Sequence, residues 1–106
     1  MPKALLKDIV KHCDHTLCIN AITDYDGALN GLQVENNGKV SRIAATVDAS
    51  LATVRMAAAQ KADLLLVHHG FFWNPQHPWV GKKRDLIGVL VETNMAVYSA
   101  HLPLDL

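Results

Sequence analysis

Leu64-Leu65-Leu66-Val67-His68-His69-Gly70 runs four apolar side chains straight into two adjacent imidazoles and a glycine. An unbroken apolar run with polar ends predicts a strand buried on both faces, as in the interior of a parallel sheet. The histidines then stand at the strand's carboxyl end, where open α/β sheets bind their ligands. Successive side chains on a strand point to opposite faces, so neighbours converge only where the backbone turns. Gly70 permits such a turn. Further along, Met95-Ala96-Val97-Tyr98 predicts a second apolar strand, followed by Ala100-His101-Leu102-Pro103-Leu104-Asp105. If the two strands lie parallel and side by side, His68, His69, His101 and Asp105 surround one crevice. Three imidazoles and a carboxylate suit a divalent transition metal.

The flanking segments supply the rest of the sheet. Lys82 to Asn94 predicts a helix with Leu86, Ile87, Leu90 and Val91 inward and Asn94 at its end. Asp48 or Ser50 caps an earlier helix whose Leu51, Val54, Ala58 and Ala59 face the sheet, with Lys61 and Ala62 ending it. Val40 to Val47 predicts a strand before that helix, with Ile43 and Val47 inside. The order strand, helix, strand, helix, strand makes βαβ crossovers. Leu32-Gln33-Val34-Glu35 alternates as a short strand, and Asn36-Asn37-Gly38 turns it towards Val40–Val47 as a hairpin. Pro2 opens an amphipathic helix, apolar at Leu5, Leu6, Ile9 and Val10, that runs to about His12 or Cys13. Thr16 to Gly31 reads as irregular. The expectation is an α/β fold: a mixed sheet with βαβ crossovers and helices packed on it, in a single domain over residues 1–106.

Composition narrows the functional classes. Ten basic and ten acidic residues give a formal charge of zero, with no electrostatic case for nucleic acid or an anionic membrane. No apolar run approaches membrane-spanning length, and the amino terminus lacks a basic tip before an apolar block. A cytoplasmic protein is the expectation. Cys13 and Cys18 make no disulfide framework. With His12 and His15 they crowd four zinc-capable side chains into seven residues. Structural zinc sites draw on two separated ligand pairs, so one compact cluster at a helix end reads as chance. Phe71, Phe72, Trp73, His77 and Trp79 form an aromatic loop that reads as a pocket rim, with a subunit interface and ordinary core as the alternatives. Walker-type, Gly-x-Gly-x-x-Gly and Gly-x-Ser-x-Gly patterns are absent.

Taken alone, His68 and His69 read in two ways. They are metal ligands, one to each of two ions, or strand-end histidines bonded to backbone carbonyls. His101 reads as a ligand, a base or a partner to a ligand, and Asp105 as an oxygen ligand. A polar strand end is the plainer account of both.

Three motifs in order then resemble one family. They are Asn30-Gly31-Leu32-Gln33-Val34-Glu35, Leu66-Val67-His68-His69-Gly70-Phe71-Phe72-Trp73, and Ala100-His101-Leu102-Pro103-Leu104-Asp105. Together they are similar to the dinuclear-metal hexameric proteins known as GTP cyclohydrolase I type 2-like. The resemblance implies a toroidal homo-hexamer with paired divalent metals, zinc, iron, manganese and magnesium not being distinguished. It implies that His68 binds one metal and His69 and Asp105 the other, with His101 beside the site and not a ligand; the chemistry of an imidazole there suits a proton shuttle. It implies metal-dependent hydrolase chemistry on a nucleotide, through water activated between the ions. The alternative is a ring-forming assembly protein in which the metal is structural or incidental.

The family's remaining ligands are a histidine and a glutamate four residues later, in its second half. None of the six histidines here has glutamate at the fourth following position. The expectation is therefore an N-terminal half of the family fold that carries half a metal site, binding one ion weakly or none.

Overall fold

The computed structural model describes residues 3–18, 30–70 and 78–101. A short strand β1 (Ala4–Leu5) leads into helix α1 (Leu6–Thr16). Strands β2 (Gly31–Val34), β3 (Lys39–Val40) and β4 (Ile43–Asp48) follow. Helix α2 (Leu51–Ala59), strand β5 (Leu64–His69), helix α3 (Lys82–Thr93) and strand β6 (Ala96–Ser99) complete the order. The main sheet has the order β2-β6-β5-β4. β4, β5 and β6 run parallel, and β2 is antiparallel to β6, so the sheet is mixed as expected.

The apolar run at 64–67 lies in an interior strand, and its two faces meet different layers. Leu65 and Val67 pack with Val54 and Ala57 of α2, Leu86 and Leu90 of α3, and Val97 of β6. Leu64 packs on the opposite face with Leu6 of α1, Ala96, Tyr98 and Ala100. Leu64, Leu65, Leu90, Met95, Val54 and Val97 are the largest fully buried side chains. Each such side chain contributes about 1.5–3 kcal/mol when withdrawn from water. This double-sided burial holds β5 and β6 in the middle of the sheet, with their carboxyl ends together.

Local chemistry sets the helix ends around that centre. Ser50 is the cap of α2: its hydroxyl accepts from the Thr53 N–H, and the Thr53 hydroxyl accepts from the Ser50 N–H. Two amides at the helix start are thereby satisfied by side chains. At the far end of α3, Asn94 takes the left-handed conformation at φ 57°, and its N–H bonds to the Val91 carbonyl. Asparagine tolerates that conformation better than most residues.

Several expectations need correction. The hairpin does not form, because β2 and β4 lie on opposite edges of the sheet. Alternation along 32–35 identifies a strand but not its partner, and β2 finds β6 instead. Lys39–Val40 leaves the run to pair with β1, Ala4 opposite Val40. Ile43 and Val47 are 50% and 59% exposed: β4 is an edge strand, and no residue of it joins the cluster beneath α1. In α3 the inward face is Leu86, Leu90 and the partly buried Ile87, leaving Val91 exposed. In α2 the buried alanine is Ala57, while Ala59 is exposed. The first helix begins at Leu6, after β1, and continues to Thr16.

Candidate metal centre

The parallel register of β5 on β6 determines what meets at the sheet's end. Leu64 lies opposite Ala96 and Val67 opposite Ser99, so the next residues of both strands emerge together. His68 and His101 stack with ring centroids 4.6 Å apart and planes at 25°. His69 completes the cluster, its ring 4.7 Å from His68 and 5.3 Å from His101. One ligand atom from each of the three lies within 4.8 Å of the others. Donors around a single tetrahedral zinc lie roughly 3.3 Å apart, from Zn–N bonds of about 2.0–2.1 Å. The three imidazole donors lie close enough together to be a group that could hold one metal ion.

Hydrogen bonding orients the imidazoles. His68 Nδ1 is 3.0 Å from the Ala100 carbonyl oxygen. A carbonyl only accepts, so Nδ1 carries the proton and Nε2 the lone pair. The plainer expectation, a histidine bonded to a backbone carbonyl, is thus met at Nδ1. His69 Nδ1 is 2.6 Å from Asp48 Oδ1. The His101 main-chain N–H donates to Asn30 Oδ1 at 2.7 Å, tying the end of β6 to the residue before β2.

An apolar hollow of about 190 Å³ lies beside His68, lined by Cys13, Leu17, Ala45, Leu66, Tyr98 and Ala100 among others. Next to it the Tyr98 hydroxyl donates to Asp14 Oδ1 at 2.7 Å, joining β6 to α1. Burial and the neighbouring Asp14 carboxylate push the phenol well above its ordinary range. A larger groove of about 1110 Å³ lies elsewhere, between α1 and residues 32–39. No member of the histidine cluster lines it.

The structure brings together three of the four side chains expected around the crevice. Asp105 lies outside the described residues, as do Phe71, Phe72, Trp73 and His77 of the aromatic loop. Trp79 is described: it is 38% exposed, with Lys83 Nζ 4.1 Å from its ring centre. His12, Cys13, His15 and Cys18 form no metal-sized group among the described residues. Gly70 does not have the positive φ that would demand glycine. What it allows is close approach, since a Cβ there would run into the Gln33 amide. Asn30 and Asp48 are neighbours of the site that sequence reasoning misses. Asp48 reads as a helix cap, although two parallel strands of matched length place their last residues side by side.

Comparison with known proteins agrees with this architecture. The Duf34/NIF3 (NGG1p interacting factor 3) family model matches residues 4–106. A protein of Neisseria meningitidis serogroup B named GTP cyclohydrolase 1 type 2 homolog is 43% identical over 102 residues, which are 95% of this chain and 40% of that one. The Deinococcus radiodurans protein of the same name is 45% identical over 80 residues, 76% of this chain and 30% of its own. The crystal structure of TTHA1606 from Thermus thermophilus superposes with a TM-score of 0.90 at 38% identity, covering 96% of this chain and 42% of that one. The chain therefore spans well under half the length of these curated relatives, 30% of one and 40% of the other. On the strength of that family match and of relatives above 40% identity, this chain belongs to the Duf34/NIF3 family.

Proposed function

We propose that the chain holds a divalent metal ion at the carboxyl ends of β5 and β6 and contributes that site to a metal-dependent hydrolase. The observation that carries the reading is the convergence of His68, His69 and His101, with donor atoms within 4.8 Å. His68 and His69 are the ligands, and Asp105, four residues beyond His101, is the acidic ligand of the same reading. His101 stands near enough to be a third ligand or to move a proton for the reaction. A cation held there supplies Lewis acidity and activates water at neutral pH. The relatives' name, GTP cyclohydrolase 1 type 2 homolog, supports a nucleotide as the substrate class.

Calorimetric titration with zinc, manganese and iron(II) tests the binding. The expected result is saturable binding of one ion that His68→Ala and His69→Ala each abolish or weaken at least tenfold. Affinity untouched by both substitutions would overturn the assignment. His101→Ala separates its two roles: lost affinity makes it a ligand, and retained affinity leaves it the proton shuttle.

A homo-oligomer, hexameric as the resemblance implies, belongs to the same proposal. The exposed apolar side chains Ile43 and Val47 on an edge strand support it. Light scattering with and without metal tests it, and a metal-loaded monomer would contradict it. A cytoplasmic location is likewise proposed, supported by the free thiols Cys13 and Cys18. Among the described residues no helix is long and apolar enough to cross a membrane.

A further inference from the structure

One carboxylate reaches the histidine cluster from a neighbouring strand. Asp48 ends β4 and is the register partner of His69 at the end of β5. Its Oδ1 lies 2.6 Å from His69 Nδ1, slightly shorter than the roughly 2.7–2.9 Å usual for a charge-assisted N–H···O bond. The backbone around Asp48 is held on both sides. The Ala49 N–H donates to the His69 carbonyl at 3.1 Å, and the Thr53 hydroxyl donates to the Asp48 carbonyl at 2.8 Å. Thr53 also closes the capping box at the start of α2. The carboxylate is therefore mounted on a strand end and a capped helix start.

An ionised carboxylate only accepts, so His69 Nδ1 must donate. The lone pair of His69 then resides on Nε2, the same nitrogen that the Ala100 carbonyl selects in His68. Two adjacent imidazoles, reached by two different acceptors, are set in one tautomer.

We propose that Asp48 is a positioning residue of the metal site, which fixes the tautomer and the ring orientation of His69 so that Nε2 meets the cation. This rests on the metal-binding reading above. Carboxylate–imidazole–metal arrangements raise the basicity of the ligand nitrogen as well as orienting the ring, and losing the carboxylate typically weakens metal affinity about 10- to 100-fold.

Two measurements on the 106-residue chain test the role. The first is nitrogen-15 NMR of labelled histidines in metal-free protein at about pH 8.5, above the usual imidazole range. Wild type is expected to show Nδ1-protonated rings at His68 and His69. In Asp48→Ala the His69 signals shift towards the other tautomer while those of His68 stay. Asp48→Asn keeps an acceptor oxygen and is expected to retain most of the wild-type pattern. The second is zinc affinity by chelator competition, expected to fall about 10- to 100-fold in Asp48→Ala and less in Asp48→Asn. Asp63→Ala, at the other end of the sheet, controls for a general loss of stability and should leave both readings in place.

An unchanged His69 tautomer in a folded Asp48→Ala chain, or zinc affinity within twofold of wild type, overturns the role of Asp48. A wild-type chain that takes no zinc overturns the metal reading itself, and the tautomer measurement then decides alone whether Asp48 sets His69.

Discussion

Asn36 holds the end of the sheet opposite the histidines, and removing its side chain should loosen the register that brings them together. Its Nδ2 lies 3.0 Å from the Lys39 carbonyl, 3.2 Å from that of Asp63 and 3.3 Å from that of Asn94. Its Oδ1 accepts the Gly38 N–H at 2.8 Å. Asp63 immediately precedes β5, and Asn94 lies just before β6. One amide thus grips the starts of both strands whose far ends carry His68 and His101. Two N–H groups serve three carbonyls, so the side chain makes about three full bonds. At a net 0.5–1.5 kcal/mol each they sum to roughly 1.5–4.5 kcal/mol. Water replaces part of this at the exposed Lys39 and Asn94 carbonyls, so Asn36→Ala should cost about 2 kcal/mol. For a chain of this size that lowers Tm by roughly 8–15 °C. Urea unfolding should show a reduced midpoint with unchanged slope. Asn37→Ala is the control: its side chain accepts one local N–H, from Lys39, and should cost less than about 1 kcal/mol. An Asn36→Ala chain within about 0.5 kcal/mol of wild type, or no worse than Asn37→Ala, would refute the reasoning.

Further predictions concern the supports of the site. Tyr98→Phe should cost about 1–2 kcal/mol, because Asp14 loses the donor at 2.7 Å that ties α1 to β6. In a Tyr25→Phe chain, where Tyr98 is the remaining tyrosine, the phenol absorbance change should appear only on alkaline unfolding, and an ordinary tyrosine titration would contradict it. At Asp63, burial pushes the carboxyl up. The N–H and hydroxyl of Ser41, the N–H of Arg42 and the charge of Lys3 outweigh that and leave it below the usual range. A depressed carboxyl stabilises the fold above its unfolded value of about 3.9, and that stabilisation is lost as pH falls through the lower folded value. Urea unfolding from about pH 6 down to about pH 3 should therefore show wild type losing its advantage over Asp63→Asn below about pH 4, and parallel curves would contradict it. Gly70→Ala should cost under about 1 kcal/mol, since the Gln33 amide it displaces is the end of a flexible chain. A loss above about 2 kcal/mol in thermal unfolding would mean that the backbone itself requires glycine.

Much of the centre of the fold is legible because its signals are local. The run 64–67 states its double-sided burial in its own composition, and Ser50 and Asn94 mark helix ends through the bonds that each residue type makes. Placing His101 beside His68 needs only two apolar strands and the helix between them. What is not legible depends on partners distant in sequence. Leu32 and Val34 alternate equally well against β4 or β6, and only the whole sheet order selects β6. Ile43 and Val47 look like core residues by type, yet nothing in their own segment says that α1 leaves that edge uncovered. Asp48 escapes notice because its partner lies 21 residues on, on a neighbouring strand.

X-ray absorption at the zinc edge of the zinc-loaded chain addresses metal binding at the carboxyl end of β5 most directly. The account predicts nitrogen neighbours at about 2.0–2.1 Å with the outer-shell pattern of at least two imidazoles, lost in the His68→Ala, His69→Ala double variant. A spectrum without imidazole scattering, or one that the double variant leaves unaltered, would contradict it.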